Sequence, residues 1–383
     1  MTPVEEPVQS LQEALNLVRL PSEGQIRQFM STRAAYLPGS DLTIPAGNVR
    51  MITHKAAFGG HVYAQAALAV VRAWREMEDE KGTKLSDRLD IHTINGFFTR
   101  PGIPNRPYLY TVTPLTSSRT FATLSVTAQQ PSQPSTNPQG DHFPKVDASL
   151  PLSPPCFTAI CSLKLPEPDS AGVSTQEPQP QQRFASILSS RPPSAWPPAP
   201  PVDITGMVEI AGAHQAGKFP VAEMYKVDMT GYNQGRPVHE RRELMLYRLR
   251  KPLTLVPACA EPEGNDAEVG AAAVWDDDAN AHVVAHAYVA DRNGLLLVGN
   301  HVGFGYSLAR AASLSYTFVV HVNAEQAVMR DDEGDGWWVQ EMWFPRTAAG
   351  RGVVKSKIWS PTGVHVATEY QDGLVQGFGL GKL

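Results

Sequence analysis

The stretch FGGHVYAQAALAVVRAW at residues 58–74 limits the possible folds more than any other. Gly59 and Gly60 open a helix-favouring run in which Val62, Ala66, Ala69 and Ala73 form one face. Ala64, Ala67, Val70 and Val71 fall on the others, and only His61, Tyr63, Gln65 and Arg72 interrupt. A surface helix carries one apolar stripe, whereas a helix apolar nearly all round is buried on most sides. Something must wrap this one. Downstream, FATLSVTAQ alternates strictly, with Ala122, Leu124, Val126 and Ala128 on one face and Thr123, Ser125 and Thr127 on the other. That period of two marks a half-buried strand. YLYTVTPL before it and CFTAICSLKL after it are rich in β-branched and aromatic residues, which favours strands again. A buried helix followed by antiparallel strands predicts a strongly curved sheet folded around that helix.

The second half of the chain repeats the plan. DDDANAHVVAHAYVADRNG predicts a helix capped near Asp276–Asp278 and dominated by Ala and Val. SLSYTFVVHV, WWVQEMWFPRT, GRGVVKSKIWS and GVHVATEYQDGLV then correspond in order to INGFFTRPG, YLYTVTPLTSS, RTFATLSVTAQQ and CFTAICSLKLP. The period is far above that of a solenoid, so the expectation is two similar domains side by side. Prolines cluster at 131–155 and from Pro166 to about Pro201. Such segments bury too little apolar surface to offset their ordering, and predict a loop insertion and a linker, with loops at 132–153 and 170–200. The expected boundaries are 1–168 and 203–383 for the two domains and 169–202 for the linker.

Composition narrows the class. A net charge of −5 over 383 residues gives no reason to expect a nucleic-acid partner. No run of eighteen apolar residues marks a membrane span, and the polar, acidic start MTPVEEPVQS is no secretory signal. Cys156, Cys161 and Cys259 are too few and too scattered for a disulfide framework or a zinc site. The expectation is a soluble intracellular protein. Its ending Gly381-Lys382-Leu383 is a variant of the Ser-Lys-Leu peroxisomal address, so the location is peroxisomal or cytoplasmic.

His282 and His286 have the i,i+4 spacing of metal ligands, but no Glu follows His282 within the pair and no third ligand is evident, so no metal and no cofactor is expected. GYSLA around Ser307 lacks the last glycine of a nucleophile elbow. HERRELMLYRLRK at 239–251 predicts a solvated strand face with Leu244, Leu246 and Arg248 alternating; the other reading is a basic surface for phosphates.

Taken in order, FGGHVYAQAALA, IHTINGFFTRPGIPNRPYLYTVTPLTSSRTFATLSVTAQQ, AYVADRNGLL, ASLSYTFVVHV and GVHVATEYQDGLV resemble successive blocks of the acyl-CoA thioesterase II family. The resemblance covers most of both halves and fails in the proline-rich inserts. It implies an α+β double hotdog: two helix-wrapped antiparallel sheets fused in one chain, associating as a homodimer or larger. It implies hydrolysis of acyl-CoA or another acyl thioester by a water that an Asp, a hydroxyl residue and a Gln hold and polarise. Those positions correspond to Asp291, Ser313 and Gln371. A carboxylate can take a proton from water while hydroxyl and amide fix its orientation. The substrate-binding set is Gly59, Gly60, His92, Asn95 and Arg292.

Two positions depart from the family. Asn95 stands where the family has a His, which predicts the loss of a titrating group near the domain interface. Arg292 follows Asp291 and should favour its ionised form, lowering its basicity. The alternative is a diverged hotdog protein that binds a carrier-bound acyl group or releases it by cyclisation.

Overall fold

The computed structural model describes residues 9–37, 42–43, 56–84, 88–138, 142–168, 172–199, 215–216, 219–253, 278–292, 294–302, 308–330 and 336–377. Its strands are β1 (Leu17–Leu20), β2 (Arg27–Ser31), β3 (Leu42–Thr43), β4 (Asp90–Phe98), β5 (Leu109–Ser117), β6 (Phe121–Gln129), β7 (Phe157–Lys164), β8 (Gln215–Ala216), β9 (Ala222–Lys226), β10 (Glu243–Leu249), β11 (Leu308–Val320), β12 (Trp338–Ala348), β13 (Arg351–Trp359) and β14 (His365–Gly377). β3 and β8 pair with each other, and the other strands form one 12-stranded sheet in the order β1-β2-β5-β6-β7-β4-β11-β14-β13-β12-β10-β9. Every pairing is antiparallel. The order is a palindrome of the duplication: β4 answers β11, β7 answers β14, β6 answers β13 and β5 answers β12. The two halves join where β4 lies beside β11, with Asn95 opposite Thr317 and Phe97 opposite Ser315.

The long helix Gly59–Glu80 is buried without interruption from Gly60 to Trp74. It packs on β4 to β7 and on the second helix, Ala279–Ala290, which is itself buried almost throughout. Three of the polar residues that break its apolar surface find partners, as burial requires, while the buried His61 ring bonds through neither nitrogen. Tyr63 Oη donates to the Ile94 carbonyl (2.7 Å), Arg72 Nη1 to the Leu17 carbonyl (2.8 Å), and Gln65 Oε1 accepts from Tyr110 Oη (2.8 Å). The start of the second helix is tied to the first half. Asn280 Oδ1 accepts from the Ile91 N–H (2.7 Å) and its Nδ2 donates to Asp90 (2.7 Å), while Arg75 pairs with Asp90 and Asp278.

The proline-rich segments differ from the predicted plain loops. Between Pro131 and Leu152, which form an isolated bridge, a 3-10 turn at Lys145–Ser149 buries Asp147, whose carboxylate accepts from Ser135 and Thr136. The second segment holds short helical turns at Pro180–Arg183, Ala185–Leu188 and Pro193–Ala195. Phe184 and Trp196 pack with Leu244, Leu246, Val339 and Trp359 in a second core on the outer face of the sheet. Two well-placed aromatics supply apolar area that composition averages hide. The same cover corrects the solvated face expected for 239–251: Glu243 to Tyr247 are buried, and Arg248 pairs with Glu223. His282 accepts from the Met329 N–H, and His286 bonds Tyr247 and the Ala327 carbonyl. Ser307, Cys259 and the Gly381–Leu383 ending lie outside the described residues. Among the described residues no helix is long and apolar enough to cross a membrane.

Candidate active site

The second helix ends at Ala290, and Asp291 is its C-cap. That position aims a carboxylate back at the first half, where the long helix begins. Phe58, the N-cap there, offers no side-chain bond to the exposed backbone amides. Instead the Gly60 N–H donates to Asp291, so an acid from one half caps the helix of the other. A helix N-terminus favours such negative charge. Space makes the meeting possible: a Cβ on Gly59 would stand 2.9 Å from Asp291 Oδ2, and one on Gly60 would run into Phe58 and the Tyr288 carbonyl.

The sheet supplies the other two groups. Gln371 points inward from β14, and Ser313 does so from β11, where a bulge between Ser313 and Ser315 shifts the register by one residue. Gln371 Nε2 donates to Asp291 Oδ1 and to Ser313 Oγ (2.8 Å). Three residues from a helix end and two strands thus share one amide. Because Ser313 Oγ already accepts, its own proton is left to point elsewhere. Gln371 Oε1 is buried with no partner and lies where a Cβ on Gly294 would overlap it.

Burial raises Asp291 to about 7, against the opposing pull of the Gly60 amide, Gln371 and, last, Arg292. The basicity expected to fall beside Arg292 therefore rises. Desolvation of a carboxylate outweighs one adjacent cation whose charge is shared with aromatic faces. The guanidinium lies 4.9 Å from the Phe219 ring centre and 5.6 Å from that of Tyr36.

All three polar groups open onto a cavity of about 350 Å³. Phe58, Val62, Phe98, Tyr108, Leu295 and Leu296 are among its apolar walls, and Arg100 and Arg292 also line it. Gly59 borders it too, while His92 and Asn95 do not. Along β4, Ile94 and Gly96 face the core, so Asn95 and Phe97 face out. Asn95 Oδ1 accepts from Thr317 Oγ1 (3.1 Å) across the junction. His92 bonds Ser162 in a separate outer cleft with His321, His365, Lys164, Lys355 and Lys357. Asn95 is at the interface between the halves, as expected, but on the wrong face for the site. Sequence separation gave its strand, and only the pleat gives the side.

Residues 48–161 match the model of an acyl-CoA thioesterase N-terminal domain, and residues 234–375 match that of the C-terminal domain. The chain belongs to the acyl-CoA thioesterase II family. Human acyl-coenzyme A thioesterase 8 is 20% identical to this thioesterase over 361 residues, covering 92% of this chain and 91% of the relative. Among solved structures, the acyl-CoA thioesterase II TesB2 of Mycobacterium marinum superposes with a TM-score of 0.55 at 18% identity, over 97% of this chain and 99% of that one. A hot dog fold protein from Alicyclobacillus acidocaldarius does so with a TM-score of 0.54 at 13% identity, over 96% and 98%. The thioesterase has the double hotdog architecture and is a thioester hydrolase by family.

Around Asp291, Ser313 and Gln371 stand residues that sequence reasoning passed over. Gly294 gives Gln371 its room, and Tyr36 with Phe219 holds Arg292. Glu369, two residues before Gln371 and on the same strand face, is fully buried. A polar residue at an inward strand position was the available signal for the last of these.

Proposed function

We propose that this thioesterase hydrolyses acyl-CoA by direct attack of a water held among Asp291, Ser313 and Gln371. The observation that carries the reading is the shared Gln371 amide, which brings a carboxylate, a hydroxyl and an unpartnered amide oxygen to one apolar cavity. Asp291 takes a proton as the water oxygen bonds to the thioester carbonyl carbon. The C–S bond then breaks, and the proton passes to the departing coenzyme A sulfur. Ser313 and the Gln371 oxygen orient the water, and the bare edge of Gly59 lets the thioester approach Asp291. The apolar walls take the acyl chain, with Arg292 fixed at the rim of the base. Oriented attack of this kind supplies much of the barrier reduction without a covalent intermediate. The proposal includes a homodimer or larger assembly, which sedimentation of the purified chain measures.

Asp291→Asn keeps the shape and removes the base. Turnover of a medium-chain acyl-CoA should fall by roughly 10²–10⁴. In the unsubstituted protein, activity should rise with pH through about 7, because only the ionised Asp291 accepts a proton. Near-normal hydrolysis by the Asn variant sinks the assignment. Free acid and free thiol in equal amounts separate hydrolysis from cyclisation.

A further inference from the structure

Behind the site lies a second buried carboxyl. Glu369 projects from β14 on the same face as Gln371 and is fully buried. Its Oε2 accepts from Ser356 Oγ on β13 (2.5 Å) and, more weakly, from Gln340 Nε2 on β12 (3.5 Å). Gln340 Nε2 also donates to the Ala290 carbonyl (2.8 Å), at the last turn of the second helix. Helix ends leave carbonyls unpaired, and this one is capped by a side chain that Ser356 Oγ (3.3 Å) and Glu369 hold together. Asp291 is the next residue along the chain.

We propose that Glu369 is a positioning residue for hydrolysis: in its neutral form it fixes Gln340, and through it the helix end that carries Asp291. The inference rests on the Asp291 assignment above. Neutrality matters because of what surrounds the carboxyl. Tyr63 on the long helix, Tyr247 on β10, Tyr316 on β11 and Asp291 face it, and all are acids. None of these carries a positive charge, and only the Tyr316 hydroxyl, by a hydrogen bond, favours a charge on Glu369. Burial pushes it up to about 8, with Asp291 adding to the rise, so near neutral pH Asp291 ionises while Glu369 keeps its proton. Two interacting carboxyls lose their protons in two steps that belong to the pair. After the second loss, the Gln340 amide is drawn to a charge and away from the Ala290 carbonyl. A second negative charge also opposes the oxyanion that water attack creates.

The consequence is an alkaline limb in the rate. Turnover of decanoyl-CoA against pH should rise through about 7 and fall again through about 8. Glu369→Gln keeps the shape and cannot ionise, so it should hold a plateau and exceed the unsubstituted enzyme about tenfold at a pH near 9, one unit beyond the titration. Ser356→Ala removes a bond that favours the ionised form and should move the alkaline limb to higher pH. A role in folding alone would move neither. An alkaline limb that is identical in all three proteins overturns the proposal. If the unsubstituted protein hydrolyses no acyl-CoA, or Asp291→Asn stays active, the reading of the site fails instead; a dead Asp291→Asn with an unmoved Glu369→Gln profile removes this inference alone.

Discussion

At the scale of single residues, burial decides more than neighbouring charge. Asp291 lies beside Arg292 in the chain, yet desolvation raises it to about 7. The cation is spent on the faces of Tyr36 and Phe219. The pleat decides equally sharply at Asn95. Gly96, its neighbour, faces inward so closely that a Cβ there would overlap Phe157, which sends the Asn95 side chain out to Thr317. Asn95→His therefore places an imidazole on the outer face of the sheet. Its pH–rate profile on a medium-chain acyl-CoA should superimpose on that of the unsubstituted protein, with no new titration near 6.5. A rise in rate with a new limb near that pH would restore Asn95 to the site. The His lost from the family pattern is thus no reason to expect a slow enzyme.

At the scale of elements, the site is assembled where two of them end. The long helix begins and the second helix stops at the same point, and the short helix Gly294–His301 starts just beyond, packed on β11 to β14. Gly294 at its head is a tight contact, since a Cβ there would overlap Gln371 Oε1. Its conformation needs no glycine, but its surroundings do. Gly294→Ala should push Gln371 away from Asp291 and Ser313 and cut kcat at least about tenfold, a positioning loss of more than 1.4 kcal/mol. Circular dichroism should show the helices intact. Unchanged kcat would mean that the Gln371 contacts are not needed for turnover. The elements also correct the compositional argument about prolines. The segment around 180–196 was legible as proline-rich, but Phe184 and Trp196 make it a cover for the outer face of β10, β12 and β13. Averaged polarity misses two anchors in a stretch of mostly exposed residues.

For the whole molecule, the duplication leaves one described site that draws on both halves. Asp291, Ser313 and Gln371 all come from the second half, yet the amide that bonds Asp291 and the walls at Phe58, Val62 and Phe98 come from the first. Residues 169–383 expressed alone, which keep the Phe184 and Trp196 cover, should therefore hydrolyse no acyl-CoA although they hold Asp291, Ser313 and Gln371. Mixing them with residues 1–168 should recover activity only if the β4–β11 pairing re-forms. Activity from the second half alone would show that the first contributes nothing to the chemistry.

Local periodicity and order in the sequence determined a great deal: the buried helix, the alternating strands, the duplication and the blocks that resemble the family, a resemblance that in turn implied Asp291, Ser313 and Gln371. Each depends on spacing along one element or on the succession of blocks, and both are written in the chain. Tertiary structure alone decided which face Asn95 and His92 occupy, how far Asp291 is desolvated, what room Gly294 leaves, and that Glu369 sits behind Asp291. These properties depend on distances between residues far apart in sequence, set by the sheet register and by how tightly the two halves close around a cavity. No periodicity within a single element encodes them.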